Sequence, residues 1–481
     1  MVRVAPYSTP MYYLMHAGYE YRGNEDRDPA GRCYPVMAGK VGPEFGSWTL
    51  DRNRPDWQEA MVRDFAELGM TQTHLNVYPV GGELKVSTEY ARALRDYVRL
   101  SEKYGLRVGV RLDALDETVL WSVHPENPES RRAEYLKWVR EVAALLKGRT
   151  VYYILGDELT LRAETSTRPA RAWTAGMYLD YFREVRAAIA SADPAAKVGM
   201  FAASSGEWFN VLELLKHGYA EVGDAVAINH YNWRELSRFI ADRDRLAPGK
   251  MLLTSGVGYI SAGTASPRYP EGDSYSRYPT EQAHAAEIAR TMYAWWEGGA
   301  DNAPYYISLR NWVRDGRIYP RWFGFFGFED YDISSDKFNI RRYPGWYAFQ
   351  AVALTFYNRS DFVPPKFAIR SDLKLERMDA FEHHTTATGA GHGELVMMLW
   401  NDKPVRVRIE LNSTRYAVPV RVPLDGHENW RDVEWGVDSG RTWIALDVGS
   451  EPVIVRLFKR REPGGRRWPS GRTSPISSAT R

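Results

Sequence analysis

The sequence predicts an α/β fold: a (β/α)8 TIM barrel followed by a C-terminal antiparallel β-sandwich domain. Three observations predict it. Eight short apolar runs recur between residues 11 and 310. Amphipathic stretches with helical spacing fill the gaps between them and follow the last. From about residue 360 the helical stretches stop, and strand-like segments separated by turn residues take over.

The runs are "MYYLMHAGY" (11–19), "TQTHLNVYP" (71–79), "LRVGVRLDA" (106–114), "TVYYILGDE" (150–158), "AKVGMFAAS" (196–204), "DAVAINHYN" (224–232), "KMLLTSGVG" (250–258) and "NAPYYISLR" (302–310). Near-continuous apolarity at this length fits parallel strands buried on both faces. Asp56 and Glu59 then make a capping-box pattern. Trp57, Met61, Phe65 and Leu68 share one helical face, and Gly69 stops it. Tyr90, Leu94 and Val98 repeat the pattern up to Gly105. Further helices are expected over 129–147, 175–191, 208–217, 233–245, 280–297 and 342–356. Eight strand–helix units in sequence imply a closed barrel. The rival, a doubly wound open sheet, carries a Gly-rich phosphate loop after an early strand, and no such loop is found there.

In the second region "GELVMMLWND", "VRVRIELN", "TWIALDVG" and "EPVIVRLFKR" read as strands. The expected boundaries are a barrel over 1–358, a β-sandwich over 359–460 and a disordered basic tail over 461–481. After Phe458 the chain has seven basic residues and one acid, Glu462, among Pro, Gly and Ser, a composition that favours a solvated tail.

A chain of 481 residues holds two or three domains, or one large barrel with a smaller module. A net charge of +2 gives no global pull toward nucleic acid. Seventeen Trp and 30 Tyr suit sugar or aromatic ligands as well as an aromatic core. Cys33 is the only cysteine, which excludes an intrachain disulfide and a cysteine metal cluster. The start "MVRVAPYSTP" lacks the apolar run of a signal peptide, and no stretch reaches the apolar length of a membrane span. The expectation is a cytoplasmic protein, or a secreted one if a signal peptide has been removed. Oligomeric state is not legible.

Barrel enzymes build their sites on the loops at the carboxyl ends of the strands. There, strand four gives Asp157 and Glu158. Strand six gives Asn229, His230, Tyr231, Asn232 and Trp233. Strand three gives Arg111 and Asp113, with Asp116 and Glu117 just beyond. Strand five leads to Glu207 and Trp208, and strand eight to Arg310, Asn311 and Trp312. Carboxylates among aromatics and amides suit glycoside hydrolysis, which needs one protonated carboxyl for the leaving oxygen and a second group for the sugar carbon. His74 and His230 with the carboxylates are the metal-site rival, but no HxxxH spacing supports it, and neither metal nor cofactor is expected.

In order and spacing, "ILGDEL", "INHYNW", "RWFGFFGFEDYD" and "PGWYAFQAV" resemble the clan A glycoside hydrolases over about residues 11 to 458. These are retaining enzymes on a (β/α)8 barrel, often with a C-terminal β-domain. The resemblance implies Glu158 as acid/base, with Asp157 where that group usually has Asn. It also implies a strand-seven nucleophile, and there "LLTSGVGY" has Ser255. A serine without a neighbouring base is a poor glycosyl acceptor. Three explanations stay open. The nucleophile was lost or engineered away. The substrate supplies it, Asp157 orienting a 2-acetamido group as in the hexosaminidases that carry Gly-Asp-Glu on strand four. Or another carboxylate serves, such as Asp113, Glu207, Glu271 or Glu329.

Structural readings stand beside these. Glu158 could pair with an arginine, and Asp157 could cap a helix or form a salt bridge, since consecutive strand residues point to opposite faces. Tyr231, Trp233, Trp312 and Trp322 could be core rather than sugar contacts. The sequence reading is a glycoside hydrolase of β-linked oligo- or polysaccharide. Its alternative is a carbohydrate-binding protein on an inactivated glycosidase scaffold.

Overall fold

The computed structural model describes residues 40–41, most of 59–79, 84–112, 122–156, 159, 161, 173–204, 208–229, 233–254, 280–301, 311–314, 317–320, 326–332, 337–357, 362–383, 393–422 and 431–459. They divide into two compact units, one up to residue 357 and one from residue 362.

The first unit alternates strands and helices. In chain order these are β1 (Lys40–Val41), β2 (Gln72–Val77), α1 (Thr88–Lys103), β3 (Arg107–Leu112), α2 (Arg132–Leu146) and β4 (Thr150–Leu155). There follow α3 (Ala175–Ala192), β5 (Val198–Gly199), β6 (Ala203–Ser204), α4 (Trp208–Lys216), α5 (Tyr219–Val222), β7 (Ala225–Asn229), α6 (Leu236–Leu246), β8 (Met251–Leu253) and α7 (Glu281–Glu297). All strand pairs of this sheet are parallel, and their order follows the chain: β1, β2, β3, β4, β5, β7, β8, with β6 also on β7. A doubly wound sheet reverses its order at a switch point. Among the described strands there is no reversal. The runs 11–19 and 302–310, expected as strands one and eight, lie outside the described residues, as does any pairing that would close the sheet on itself. The strand beside β2 is Lys40–Val41, a pair too short and too polar to stand out as an apolar run.

Local chemistry sets the helix starts. Ser87, Thr174 and Thr280 stand before α1, α3 and α7, and their hydroxyls accept the backbone N–H of Tyr90, Met177 and Ala283 at 3.1, 3.2 and 3.1 Å. Gly69 and Gly105, at positive φ, stand where the sequence predicts helix stops. Among the described residues no helix is long and apolar enough to cross a membrane.

At the amino ends of the strands a single device recurs. Asp193 ends α3, Asp224 directly precedes β7, and Asp301 follows α7. Their carboxylates accept the N–H of Gly148, Val198 and Leu252 at 3.0, 3.0 and 2.8 Å. Each aspartate thereby fastens the backbone at or near the start of β4, β5 or β8 and satisfies a donor there. On one face of the sheet Tyr152, Ile154, Ala202, Ala225, Ala227 and Leu253 form a buried cluster. Helices pack on the other face, where the Tyr97 hydroxyl of α1 bonds that of Thr73 in β2 at 2.8 Å.

The unit ends in two antiparallel hairpins, β9 (Asn311–Arg314) with β10 (Arg317–Pro320) and β11 (Phe326–Asp332) with β12 (Lys337–Arg342). Helix α8 (Pro344–Val352) follows and runs on into a π-helical turn, Ala353–Tyr357. Arg342 pairs with Glu67 and lies 4.0 Å over the Trp346 ring, while Gln350 donates to the Glu67 carbonyl at 2.7 Å. The end of the unit thus packs against its beginning.

The second unit holds two antiparallel sheets. One has six strands in the order β13 (Phe362–Val363), β15 (Arg377–His383), β16 (Glu394–Trp400), β22 (Val453–Lys459), β18 (Tyr416–Val422) and β19 (Arg431–Asp432). The other has four, in the order β14 (Ile369–Ser371), β17 (Val405–Leu411), β21 (Arg441–Val448) and β20 (Glu434–Asp438). Alternate residues of both, among them Leu395, Met397, Val455 and Leu457 from the first and Val407, Ile409, Ile444 and Leu446 from the second, make one core. That is a sandwich. Strand β16 is buried on its reverse face too, and there Arg456 donates two hydrogen bonds to the carboxylate of buried Glu394, at 2.8 and 2.7 Å.

Candidate active site

The carboxyl ends of the parallel strands lie on one edge of the sheet, and the candidate residues attach there in sequence. Strand β3 ends at Leu112, with Asp113 next; β4 ends at Leu155, shortly before Asp157 and Glu158. Strand β7 ends at Asn229, with His230 and Tyr231 next, and β8 ends at Leu253, followed by Thr254 and Ser255. Asp113, Asp157, Glu158, His230, Tyr231 and Ser255 themselves lie outside the described residues, as do Asp116, Glu117, Asn232, Glu207, Glu271, Arg310 and Trp322.

Arg111 and Asn229 are described. Arg111 is in register with Ile154, a member of the buried cluster, so in a parallel pair it shares that face. Asn229 alternates with Ala225 and Ala227 and shares it as well. Both side chains are fully buried. The Thr254 hydroxyl donates to Asn229 Oδ1 at 3.3 Å, tying the ends of β7 and β8 together and orienting the amide. Two predicted site residues thus reach one face and one end of the sheet. Thr254 is a third polar group there that sequence reading missed. Its signal was its place, a hydroxyl ending the apolar run "KMLLT".

The tip of β4 is fastened from several sides. Gly156 takes a φ of 98°, which suits glycine alone, and so turns the chain out of the strand. Its N–H donates to the Leu112 carbonyl at 3.0 Å, and its carbonyl accepts from Ala202 N–H at 3.4 Å. The Tyr178 hydroxyl, from α3, donates to the Leu155 carbonyl at 2.8 Å and accepts the Phe201 N–H at 2.8 Å. Beyond the carboxylate pair, the buried Asn210 of α4 takes over. Its Oδ1 accepts Leu161 N–H at 3.2 Å, and its Nδ2 donates to the Leu159 carbonyl at 3.4 Å.

Other predicted residues are placed differently. Trp312 lies within β9, opposite Tyr319 in an antiparallel hairpin rather than at a parallel strand end. Glu329 falls in β11 where the pairing with β12 shifts register. Trp233 opens a short 3-10 turn, with the Arg234 guanidinium 4.5 Å over its ring. Trp208 is buried at the start of α4 and donates from Nε1 to Asp242 at 2.9 Å. Burial raises the Asp242 carboxyl, but the hydrogen bonds from Arg245 and Trp208 outweigh it and hold the group below its ordinary value. That tryptophan is occupied in joining two helices. His74 contributes its backbone to β2. Among the described residues no three His, Cys, Asp or Glu side chains gather as a metal site.

Neither a protein-family profile nor a curated protein sequence matches the chain. Solved structures do. The GH39 enzyme from Xanthomonas axonopodis pv. citri is similar with a TM-score of 0.54 at 14% identity, over 90% of this chain and 95% of that one. A monomeric beta-xylosidase from Caulobacter crescentus CB15 is similar with a TM-score of 0.54 at 13% identity, over 90% of this chain and 97% of that one. The chain shares the fold of these two structures. Both matches span nearly the full length of the neighbours, so the resemblance takes in the β-sandwich unit as well as the strand–helix unit.

Proposed function

We propose that the chain is a glycoside hydrolase that acts on β-linked oligo- or polysaccharide with Glu158 as its general acid/base. One observation carries the reading: on a glycosidase fold, the Gly-Asp-Glu segment follows the carboxyl end of the fourth parallel strand, where such folds carry their chemistry. A carboxyl at that edge serves as an acid only if its proton is held toward neutral pH, and a second carboxylate nearby, Asp157 in sequence, works in that direction. The proton goes to the glycosidic oxygen as the bond to the sugar carbon breaks. Water then completes hydrolysis, with the same carboxylate as base. Arg111, Asn229, His230 and Tyr231 are the hydrogen-bonding groups for sugar hydroxyls or for the carboxylates, and Asp113, Trp233 and Trp312 are further substrate contacts.

Ser255 decides how the sugar carbon is met. In one form of the reading the nucleophile has been lost. In the other the substrate's own 2-acetamido oxygen attacks, oriented by Asp157. Ser255→Glu separates them. A gain of about a hundredfold or more on aryl β-glycosides marks a lost nucleophile. No gain, with cleavage of 2-acetamido substrates, marks substrate assistance. The serine also favours a second reading, a sugar-binding protein on an inactivated scaffold. Oligosaccharide binding without hydrolysis of any aryl glycoside supports that reading and overturns the first.

A further inference from the structure

We infer that Tyr178 and Asn210 are positioning residues that clamp the backbone on both sides of Asp157–Glu158. The inference rests on the glycosidase reading and deepens it. A general acid must be held to within a fraction of an ångström of the oxygen it protonates. The sheet supplies that hold to the end of β4 on the β3 side, where Leu112 pairs with Leu155, but not on the β5 side. Direct β4–β5 pairing stops at Ile154–Gly199. Beyond it, the Tyr178 hydroxyl stands between the strands as a substitute rung, donating to Leu155 and accepting from Phe201. On the far side of the carboxylate pair the chain has left the sheet, and the Asn210 amide bonds Leu159 and Leu161. Both clamps are buried and both come from helices, α3 and α4. Leu155 before the pair and Leu159 and Leu161 after it are thus each bonded by a buried side chain from a helix.

The same structure holds a matched control. The Tyr219 hydroxyl makes the same kind of bridge one strand further on, accepting from Met200 N–H at 2.7 Å and donating to the Ala225 carbonyl. Ala225 is the first residue of β7 and is joined to Ile154 through Gly199, so this bridge lies beside the end of β4 but bonds no residue of that strand. Loss of either hydroxyl leaves two buried backbone groups without a partner, so Tyr178→Phe and Tyr219→Phe should lower the melting temperature alike. Only the first removes a direct bond to the tip of β4.

The test is steady-state hydrolysis of an aryl β-glycoside by the full chain and its Tyr178→Phe, Asn210→Ala, Tyr219→Phe and Glu158→Gln variants, well below the melting temperature of the least stable. For Tyr178→Phe and Asn210→Ala, kcat should fall about tenfold or more while KM changes less than about threefold. The alkaline limb of the pH profile, set by the acid, should move with it. Tyr219→Phe should keep kcat within about twofold. Asn210→Ala carries the test alone if Tyr178→Phe fails to fold. Clamp variants no slower than Tyr219→Phe, alongside an inactive Glu158→Gln, would overturn the clamp and leave the glycosidase reading standing. An active Glu158→Gln would overturn that reading instead.

Discussion

Asp224 is a single carboxylate with two structural duties. It accepts the Val198 N–H at 3.0 Å and lies 3.5 Å from the Arg186 guanidinium. Asp224→Ala leaves the start of β5 with an unmet donor and should cost about 1–3 kcal/mol of unfolding free energy, read as a lower denaturant midpoint at unchanged slope. The Glu394–Arg456 pair is a sharper case, because both groups are fully buried. Removal of one partner strands a charge: Glu394→Leu alone should destabilise by about 3–5 kcal/mol. Glu394→Leu with Arg456→Met should recover most of that loss, because an apolar pair needs no mutual solvation. A double variant no better than the single would show that the pair is worth more than its charges. Legibility at this scale depended on position. Arg111 and Asn229 stood at predicted strand ends, and the structure brings both to one face. Tyr178 and Asn210 act through the backbone of other segments, and a partner far away in sequence leaves no mark on the residues around it.

At the scale of elements, α3 shows what burial does to chemistry. Tyr178 and Tyr181 both face inward from it. Burial pushes the Tyr181 phenol up to about 12 and that of Tyr178 well above its ordinary value. Tyr97 of α1 is likewise raised by burial, to about 12. A phenol raised in the folded state holds its proton more tightly there than in the unfolded chain. Its contribution to stability is complete below the unfolded value of about 10 and is lost as pH climbs from there through the folded value. The protein should therefore unfold cooperatively above pH of about 10, with the last phase of phenolate absorbance coinciding with loss of helical ellipticity. Phenolate absorbance complete before any ellipticity is lost would contradict it. The N-caps belong to this scale too: Thr174→Ala should cost about 1 kcal/mol, read by chemical denaturation.

The elements themselves were legible where their pattern was long. Strands β2, β3, β4 and β7 fall inside predicted apolar runs, and α1, α2, α3 and α7 fall close to the predicted helices. The fifth run divides into β5 and β6, because two tyrosine side chains from helices interrupt its pairing, and no local pattern encodes such a guest. The hairpins β9–β12 were not anticipated. They sit among aromatic residues at 311–342 that read as a closing segment toward the last helix, and hairpin pairing there is fixed by cross-strand partners rather than by a period.

Across the whole molecule, sheet order was the observation that discriminated. Apolar runs alone fit either a barrel or a doubly wound sheet. Seven strand positions among the described residues stand in unbroken chain order, without the reversal of a doubly wound sheet. The glycosidase fold of the neighbours covers both units. The proposed function depends on a proton donor after β4. The most direct measurement compares wild type and Glu158→Gln on β-glycosides whose leaving groups run from alkyl to dinitrophenyl. A general acid matters most for the poorest leaving group. The expected result is a loss of about a thousandfold or more on alkyl glycosides that shrinks steadily toward dinitrophenyl, with folding unchanged by circular dichroism. Equal rates for the two proteins across the series would contradict it.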